Sequence, residues 1–363
     1  MSDVPGDEVE LTGPVEVVGA GLLGTSIGLA CRAAGLEVLL TDVSEDNLRT
    51  ASGLGAGRPR VVGDRPQLVV VAVPPDHLVE AITAALADDL VGDAVVTDVG
   101  SVKSGPAEAV SGLPGAERYV GSHPMAGSER SGPLAGISSL FDGRPWAIAP
   151  HAASDPAAVA LVELLVLLCG AVPVRMSPEE HDRAVARTSH LPHLMAVLAA
   201  GALADAPAEH LALSGQGVRD VTRVAAGDPV LYGQIVAANA AAVGELLSGV
   251  REQLDTVIEA LENGDRSGLE SVLANGVDGT RAIPGKHGGP PRPMASVFVS
   301  VPDHPGELAR LFADAGESDV NIEDVRIDHD PGRPVGLVEL LVAVERSEHL
   351  LASLESRGWV THR

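Results

Sequence analysis

The chain has 363 residues, 45% hydrophobic but only 2% aromatic, so two or three domains are expected, with cores built from Leu, Val, Ile and Ala. Its 25 Lys+Arg stand against 50 Asp+Glu, a formal charge of −25. A surface of that sign cannot neutralise phosphates, which excludes nucleic acid as a partner, and it repels anionic ligands unless a few cations are placed at their site. The longest apolar run, residues 157–168, contains Glu163 and is too short to span a bilayer. The N-terminal segment is acidic and polar rather than a signal peptide, so a cytoplasmic protein with no membrane attachment is expected. Cys31 and Cys169 fall in apolar, helix-like stretches and are expected to be reduced core thiols, with no disulfide and no metal site.

Residues 1–13 read as a disordered polar leader. Residues 15–18 form a short apolar strand, 25–34 a helix opened by a glycine turn, and 37–41 a second strand running into Asp42. A short helix over 47–52 follows, then a strand over 68–73 closed by Pro74-Pro75, a helix over 77–87 and a strand over 94–98. Strands at 145–149 and 171–175 flank a helix at 157–169. Strands alternating with helices predict βαβ units and a doubly wound, Rossmann-type parallel sheet over residues 14–177. From Ser177-Pro178-Glu179-Glu180, a capping serine with proline at the first helical position and acids in the first turn, the pattern becomes all-helical and Ala/Leu-rich to residue 283. Residues 284–293, rich in Pro and Gly, read as a linker. Strand 295–301, helix 305–315, strands 322–328 and 336–344, helix 347–356 and strand 359–362 then predict a βαββαβ module over 294–363.

Gly19-x-Gly21-x-x-Gly24 follows a strand and opens a helix, the context that turns a weak pattern into a dinucleotide fingerprint. Gly19 allows the turn, Gly21 lets a pyrophosphate approach the backbone, and Gly24 lets the helix pack on the strand. The N-terminus of the helix then faces the phosphates with unpaired N–H groups and a positive dipole end, with Leu22 and Leu23 of the turn expected to touch the cofactor. Asp42, 18 residues after Gly24, stands where an acid accepts from ribose hydroxyls, and it would repel a 2′-phosphate. NAD is therefore expected over NADP. Val73 and Pro74, at the end of the strand over 68–73, are expected to line the same cofactor.

Two further loops leave the presumed ligand-facing end of the sheet: Asp98-Val99-Gly100-Ser101-Val102-Lys103 and His123-Pro124-Met125-Ala126-Gly127-Ser128-Glu129. In the helical region, Ser189 and His193 lie seven and eleven residues beyond Asp182. At about 100° per residue those three share one face, with His190 turned roughly 80° away. Pro192 removes a backbone hydrogen bond to Thr188, which predicts a kink. Asp182 reads equally as a partner for a histidine or as a helix-surface acid.

These segments resemble the prephenate dehydrogenase family of tyrosine biosynthesis. The resemblance rests on Gly19–Gly24, Asp98–Lys103, Gly121–Gly127, His181-Asp182 with Ser189-His190-Leu191-Pro192-His193, and Gly215–Arg223 with Asp228-Pro229. It implies an NAD-binding domain followed by a helical dimerisation domain like that of 6-phosphogluconate dehydrogenase, and so a homodimer. The implied reaction is the NAD-dependent oxidative decarboxylation of prephenate to 4-hydroxyphenylpyruvate. His123 then matches the catalytic histidine and Ser101 a serine bonded near it. Arg223 matches the arginine that grips the ring carboxylate, a task suited to a bidentate guanidinium. Ser189 and His193 would contact the substrate's side chain, and His190 would be structural. Glu129 and Asp220 would join an ionic network at the pocket mouth. Lys103 would add positive charge near the substrate, or be a solvated loop lysine. Tyr232 sits where some relatives carry tryptophan.

The C-terminal module resembles an ACT domain through Pro302-Asp303-His304-Pro305-Gly306-Glu307-Leu308 and Val320-Asn321-Ile322. That implies an amino-acid effector, with L-tyrosine as the candidate, at His304, Pro305, Gly306 and Asn321. Arogenate and 4-amino-4-deoxyprephenate remain alternative substrates. A β-hydroxyacid or 6-phosphogluconate-type dehydrogenase would be expected to carry a catalytic lysine on a long helix, and no lysine occurs between 104 and 285. A non-catalytic NAD and amino-acid sensor would have no need of His123, Ser101 and Arg223 together.

Overall fold

A computed structural model describes residues 9–127, 130–283, 293–329 and 335–362. The fold parts into two compact units, Met1–Arg251 and Glu252–Arg363. The expected linker at 284–293 lies, apart from Pro293, outside the described residues.

In the first unit, β1 (Val15–Val18), α1 (Leu22–Ala33), β2 (Val38–Thr41), α2 (Glu45–Gly53) and β3 (Arg58–Pro59) build outward in one direction. The chain then returns to the other side of β1 with β4 (Leu68–Val71), α3 (Pro75–Ala87), β5 (Val95–Asp98), α4 (Ser104–Val110) and β6 (Tyr119–Pro124). β7 (Pro145–Ala149), α5 (Pro156–Leu168) and β8 (Val172–Arg175) complete an eight-stranded sheet ordered β3-β2-β1-β4-β5-β6-β7-β8. Every neighbouring pair is parallel except β6 with β7. The order reverses at β1, and this switch point is where such sheets open a crevice for ligands.

Both faces of the sheet are covered, as a parallel sheet requires. Ile27, Cys31, Trp146 and Leu165 pack one face with Val15 and Val17. Leu78, Ile82, Val110 and Tyr119 pack the other with Val69 and Val71. Residues 10–13 are not loose, contrary to expectation. The side-chain oxygen of Gln67 accepts from the N–H groups of Thr12 and Gly13 at 2.9 and 2.8 Å, and its amide donates to the Glu10 carbonyl at 2.7 Å.

The expected all-helical stretch follows as α6 (Pro178–Val185), α7 (Leu191–Gly201), α8 (Ala208–Leu211), α9 (Gln216–Arg223), α10 (Pro229–Ala238) and α11 (Ala240–Glu262), which crosses into the second unit. The kink predicted from Pro192 takes the form of a π turn over Ala186–His190. Without a proline N–H the α pattern cannot close on Thr188, and a wider i→i+5 turn accommodates the defect. Among the described residues no single helix is long and apolar enough to cross a membrane.

The second unit holds α12 (Arg266–Arg281) and then β9 (Met294–Pro302), α13 (Glu307–Gly316), β10 (Asp324–His329), β11 (Val335–Ala343), α14 (Val344–Ser356) and β12 (Val360–His362). Its antiparallel sheet has the order β10-β11-β9-β12, a split βαβ arrangement. Alternation places Val297, Val299 and Val301 with Val338, Leu340 and Val342 on one face, where Leu311, Leu350 and Leu354 cover them.

Candidate active site

Strand register brings the expected ligand loops to one edge. Thr41, Val18, Val71, Asp98 and Gly121 form a single row across β2, β1, β4, β5 and β6. Just beyond that row come Asp42, the glycine turn, Val73-Pro74, Ser101 and His123.

The three fingerprint glycines differ in what surrounds them. Gly19 has φ +104°, and a Cβ there would sit 2.4 Å from the Ala72 carbonyl oxygen and 3.3 Å from the Val73 side chain. A Cβ on Gly24 would fall 1.9 Å from the Gly19 carbonyl oxygen, so α1 can seat on β1 only without one. A Cβ on Gly21 would meet nothing within 4 Å, which leaves an open cradle in front of the helix start. Gly21 caps α1 with no side-chain bond, and the N–H groups of Leu22, Leu23 and Gly24 precede any intrahelical partner. Asp42 stands at the rim, with one oxygen accepting from Ala20 N–H at 2.6 Å and the other from Ser44 N–H at 2.7 Å. An acid fixed beside an open, N–H-lined cradle fits a dinucleotide with an unphosphorylated ribose.

Around His123 the structure assembles a relay that spacing could not reveal. His123 Nδ1 lies 3.0 Å from His181 Nε2, and His181 Nδ1 lies 2.9 Å from Asp182 Oδ1. The tautomers follow from the chain of contacts. Asp182 accepts the Nδ1–H of His181, which leaves His181 Nε2 as an acceptor. That nitrogen takes the Nδ1–H of His123, so His123 Nε2 carries a lone pair. Asp182 also accepts from Lys103 N–H at 2.8 Å and Ser104 N–H at 2.9 Å, donors at the start of α4 that have no partner within the helix. The choice left open for Asp182 is thereby settled: it is a buried histidine partner.

Burial holds His123 well below the ordinary histidine range, and His181, Lys103 and His190 reinforce the shift. Burial also lowers His181, against the opposing pull of Asp182, and lowers His190 and His193. Each of these groups binds its proton more weakly folded than unfolded. Below about pH 6.5 the unfolded chain therefore takes up more protons, and this contribution to stability is lost as pH falls through the folded values. In melts over that window, wild type should lose stability more steeply than His190→Gln; identical slopes would exclude the effect.

The single shared face for Asp182, Ser189 and His193 is not what forms. Ser189 is exposed, whereas Asp182, His190 and His193 are buried. An i→i+5 turn takes up roughly one extra residue, about 100° of register. It rotates His190 onto the face of Asp182, where Asn239 binds both, donating to the Asp182 carbonyl at 2.8 Å and meeting His190 Nδ1 at 3.2 Å. His190 is thus buried and held from within the fold by Asn239. His193 stacks on Tyr232 with ring centroids 3.5 Å apart, and its Nδ1 is buried with no partner among the described residues.

Lys103 is neither solvated nor open to a solute. Its side chain is fully buried, and its ammonium pairs with Asp98. A direct approach to substrate carboxylates is therefore replaced by an internal ion pair. Ser101 is half-exposed in the turn before α4. Arg223 and Asp220 lie exposed on α9, where Asp220 accepts from the Gln216 amide at 2.9 Å. Glu129 falls outside the described residues. In the second unit His304, Pro305 and Gly306 form an exposed turn before α13, and Asn321 donates to Glu323 at 2.7 Å. Sequence reasoning missed His181 and Asn239 as members of the site. The adjacency of His181 to Asp182 was the available signal for the first; nothing local marked the second.

The chain is similar to known proteins over most of its length. Residues 27–175 match the family model described as prephenate dehydrogenase, nucleotide-binding domain, and residues 177–275 the one described as prephenate dehydrogenase, dimerization domain. A Streptomyces niveus protein named "Probable prephenate dehydrogenase NovF" is 36% identical over 94% of this chain and 98% of its own length. The Bacillus subtilis prephenate dehydrogenase is 28% identical over 86% of this chain and 87% of its own. Among solved structures, a prephenate dehydrogenase from A. aeolicus in complex with hydroxyphenyl propionate and NAD+ matches with a TM-score of 0.67 at 28% identity. It covers 74% of this chain and 96% of its own.

Proposed function

The chain belongs to the prephenate dehydrogenase family, and we propose that His123 Nε2 receives the hydrogen bond of the C4 hydroxyl of prephenate. The protein is an NAD-dependent oxidoreductase that converts prephenate to 4-hydroxyphenylpyruvate and CO2. NAD, when bound, accepts the hydride that leaves ring C4. The chain's own residues do the rest. The carboxylate of Asp182 fixes the tautomer of His181, which in turn fixes that of His123, and the lone pair on Nε2 is what carries this reading. A neutral imidazole can steady the hydroxyl proton as C4 becomes a carbonyl carbon, and the proton stays with the phenolic oxygen once the ring carboxylate departs as CO2. Ser101 is assigned to the same hydroxyl, supported by its half-exposed place at the shared sheet edge.

Arg223 is assigned to the ring carboxylate, with Asp220 and Glu129 ordering the pocket mouth. His193 is assigned to the side chain of the substrate, supported by its unpartnered nitrogen. Ser189, exposed beside the π turn, is the weaker member of that pair. The glycine cradle, Leu22, Leu23, Asp42, Val73 and Pro74 hold the cofactor in this reading. We assign residues 14–177 to cofactor binding, 178–283 to a helical dimerisation domain and 294–363 to an ACT-like domain with tyrosine as effector at the His304–Gly306 turn and Asn321. Exposed apolar residues of the helical part, Leu198, Leu213 and Val230 among them, support a homodimer. Two buried free cysteines support a reducing, cytoplasmic setting.

The decisive experiment follows NAD reduction with prephenate and arogenate side by side. Prephenate should give the higher kcat/KM, with 4-hydroxyphenylpyruvate as product. A reversed ranking would replace the substrate while leaving the chemistry at C4 intact.

A further inference from the structure

We propose that Lys103 is a positioning residue: its ammonium, seated on Asp98, fixes the turn whose two consecutive N–H groups hold Asp182, and through Asp182 and His181 it aims the acceptor nitrogen of His123. The inference rests on the assignment of His123 to the C4 hydroxyl. It concerns a residue that does not itself touch substrate or cofactor.

The observations form a continuous path. Asp98, the last residue of β5, is fully buried and accepts from Lys103 Nζ, from Gly100 N–H at 2.9 Å and from the Tyr119 hydroxyl at 2.8 Å. These contacts fasten both ends of the six-residue segment from Asp98 to Lys103 and tie it to β6, the strand that carries His123. Lys103 is also the N-cap of α4, and its side chain makes no cap bond there. The first N–H groups of α4 are therefore available to a group from elsewhere, and Asp182 of α6 takes two of them. Each Asp182 oxygen is held by a backbone donor, which sets the rotation of the carboxylate and hence the direction from which it meets His181 Nδ1 at 2.9 Å.

The side chain must be long, because it runs back from the helix start to the strand end. It must be cationic, because Asp98 would otherwise be a buried carboxylate with only neutral donors. The charge also acts directly: among the described residues Lys103, with His181 and His190, weighs against a proton on the buried His123.

Lys103→Met alone would strand Asp98, so the test uses the charge-balanced pair Lys103→Met with Asp98→Asn, and separately Tyr119→Phe, which removes one hydroxyl from Asp98 and no backbone contact. In the full-length enzyme the double variant should lose about tenfold or more in kcat, part of the roughly 10²- to 10⁴-fold that a positioned acid–base group supplies. NAD affinity should be nearly unchanged, and the acid limb of kcat/KM should move to higher pH. Tyr119→Phe should lower kcat in the same direction by less. A merely structural lysine would lower the melting temperature and leave kcat per folded molecule and the pH profile where they were. A folded double variant with wild-type kcat and acid limb overturns the proposal. If the pair does not fold, an unchanged kcat in Tyr119→Phe overturns it. Failure of the underlying reading is distinguishable, because in that case His123→Asn itself would retain activity.

Discussion

His123→Asn should lower turnover by about 10²- to 10⁴-fold, the usual worth of a positioned acid–base group, and leave NAD affinity nearly intact. The choice of asparagine matters. Its amide reaches about as far as the imidazole Nδ1, so it can still donate to His181 Nε2, which lies 3.0 Å from that nitrogen in the native protein. The buried relay keeps its donors and acceptors matched, and the fold has no reason to rearrange. What asparagine lacks is the far side of the ring, where Nε2 presents its lone pair. The loss should therefore fall on kcat, with little change in the affinity for NAD, whose cradle is built by other loops. Steady-state kinetics with a direct NAD titration reads both quantities. A variant that turns over at the native rate would remove His123 from the reaction.

The glycine fingerprint gives the second large effect, and it separates two roles that the motif merges. Gly24→Ala places a methyl 1.9 Å from the Gly19 carbonyl oxygen and 2.9 Å from a Val17 methyl, both parts of the strand and turn beneath α1. The helix must lift. Overpacking of this kind costs about 1–3 kcal/mol, so melting temperature and NAD affinity should fall together, the latter by roughly 5- to 150-fold if the whole cost reaches the cradle. Gly21→Ala meets nothing within 4 Å. Its melting temperature should match wild type, and only NAD binding should suffer, because the new methyl occupies the approach to the helix N–H groups. Thermal melts paired with NAD titrations distinguish the two. If Gly21→Ala binds NAD normally, the pyrophosphate does not pass over that residue.

Much of the framework is visible in the residue order because it is encoded locally. A four-residue apolar run, a glycine turn and a helix define the cofactor half of the site wherever they occur, and Gly19, Gly21, Gly24 and Asp42 sit in the structure as their types and spacing require. The alternation along β9 and β11 likewise fixes which side of the second sheet is buried. Elements with little periodicity were less legible. The two-residue β3 and the seven-residue α4 carry too few positions to show a period.

The residue order by itself determined that strands and helices alternate, that a histidine loop follows the Asp98–Lys103 loop at the ligand-facing end of the same sheet, and that cations are too scarce for anions to be bound by chance. It could not determine which buried groups face each other. Extrapolating α-helical spacing from Asp182 failed at one π turn, because a single extra residue in a turn rotates everything after it. Lys103 reads as a mobile surface charge until the fold closes over it, since burial belongs to the packed layers and not to the side chain. The link from Asp182 to His123 spans residues 59 apart in the chain. Only the tertiary structure decided it, because a hydrogen bond depends on distance and direction in space, and neither is written in a local pattern.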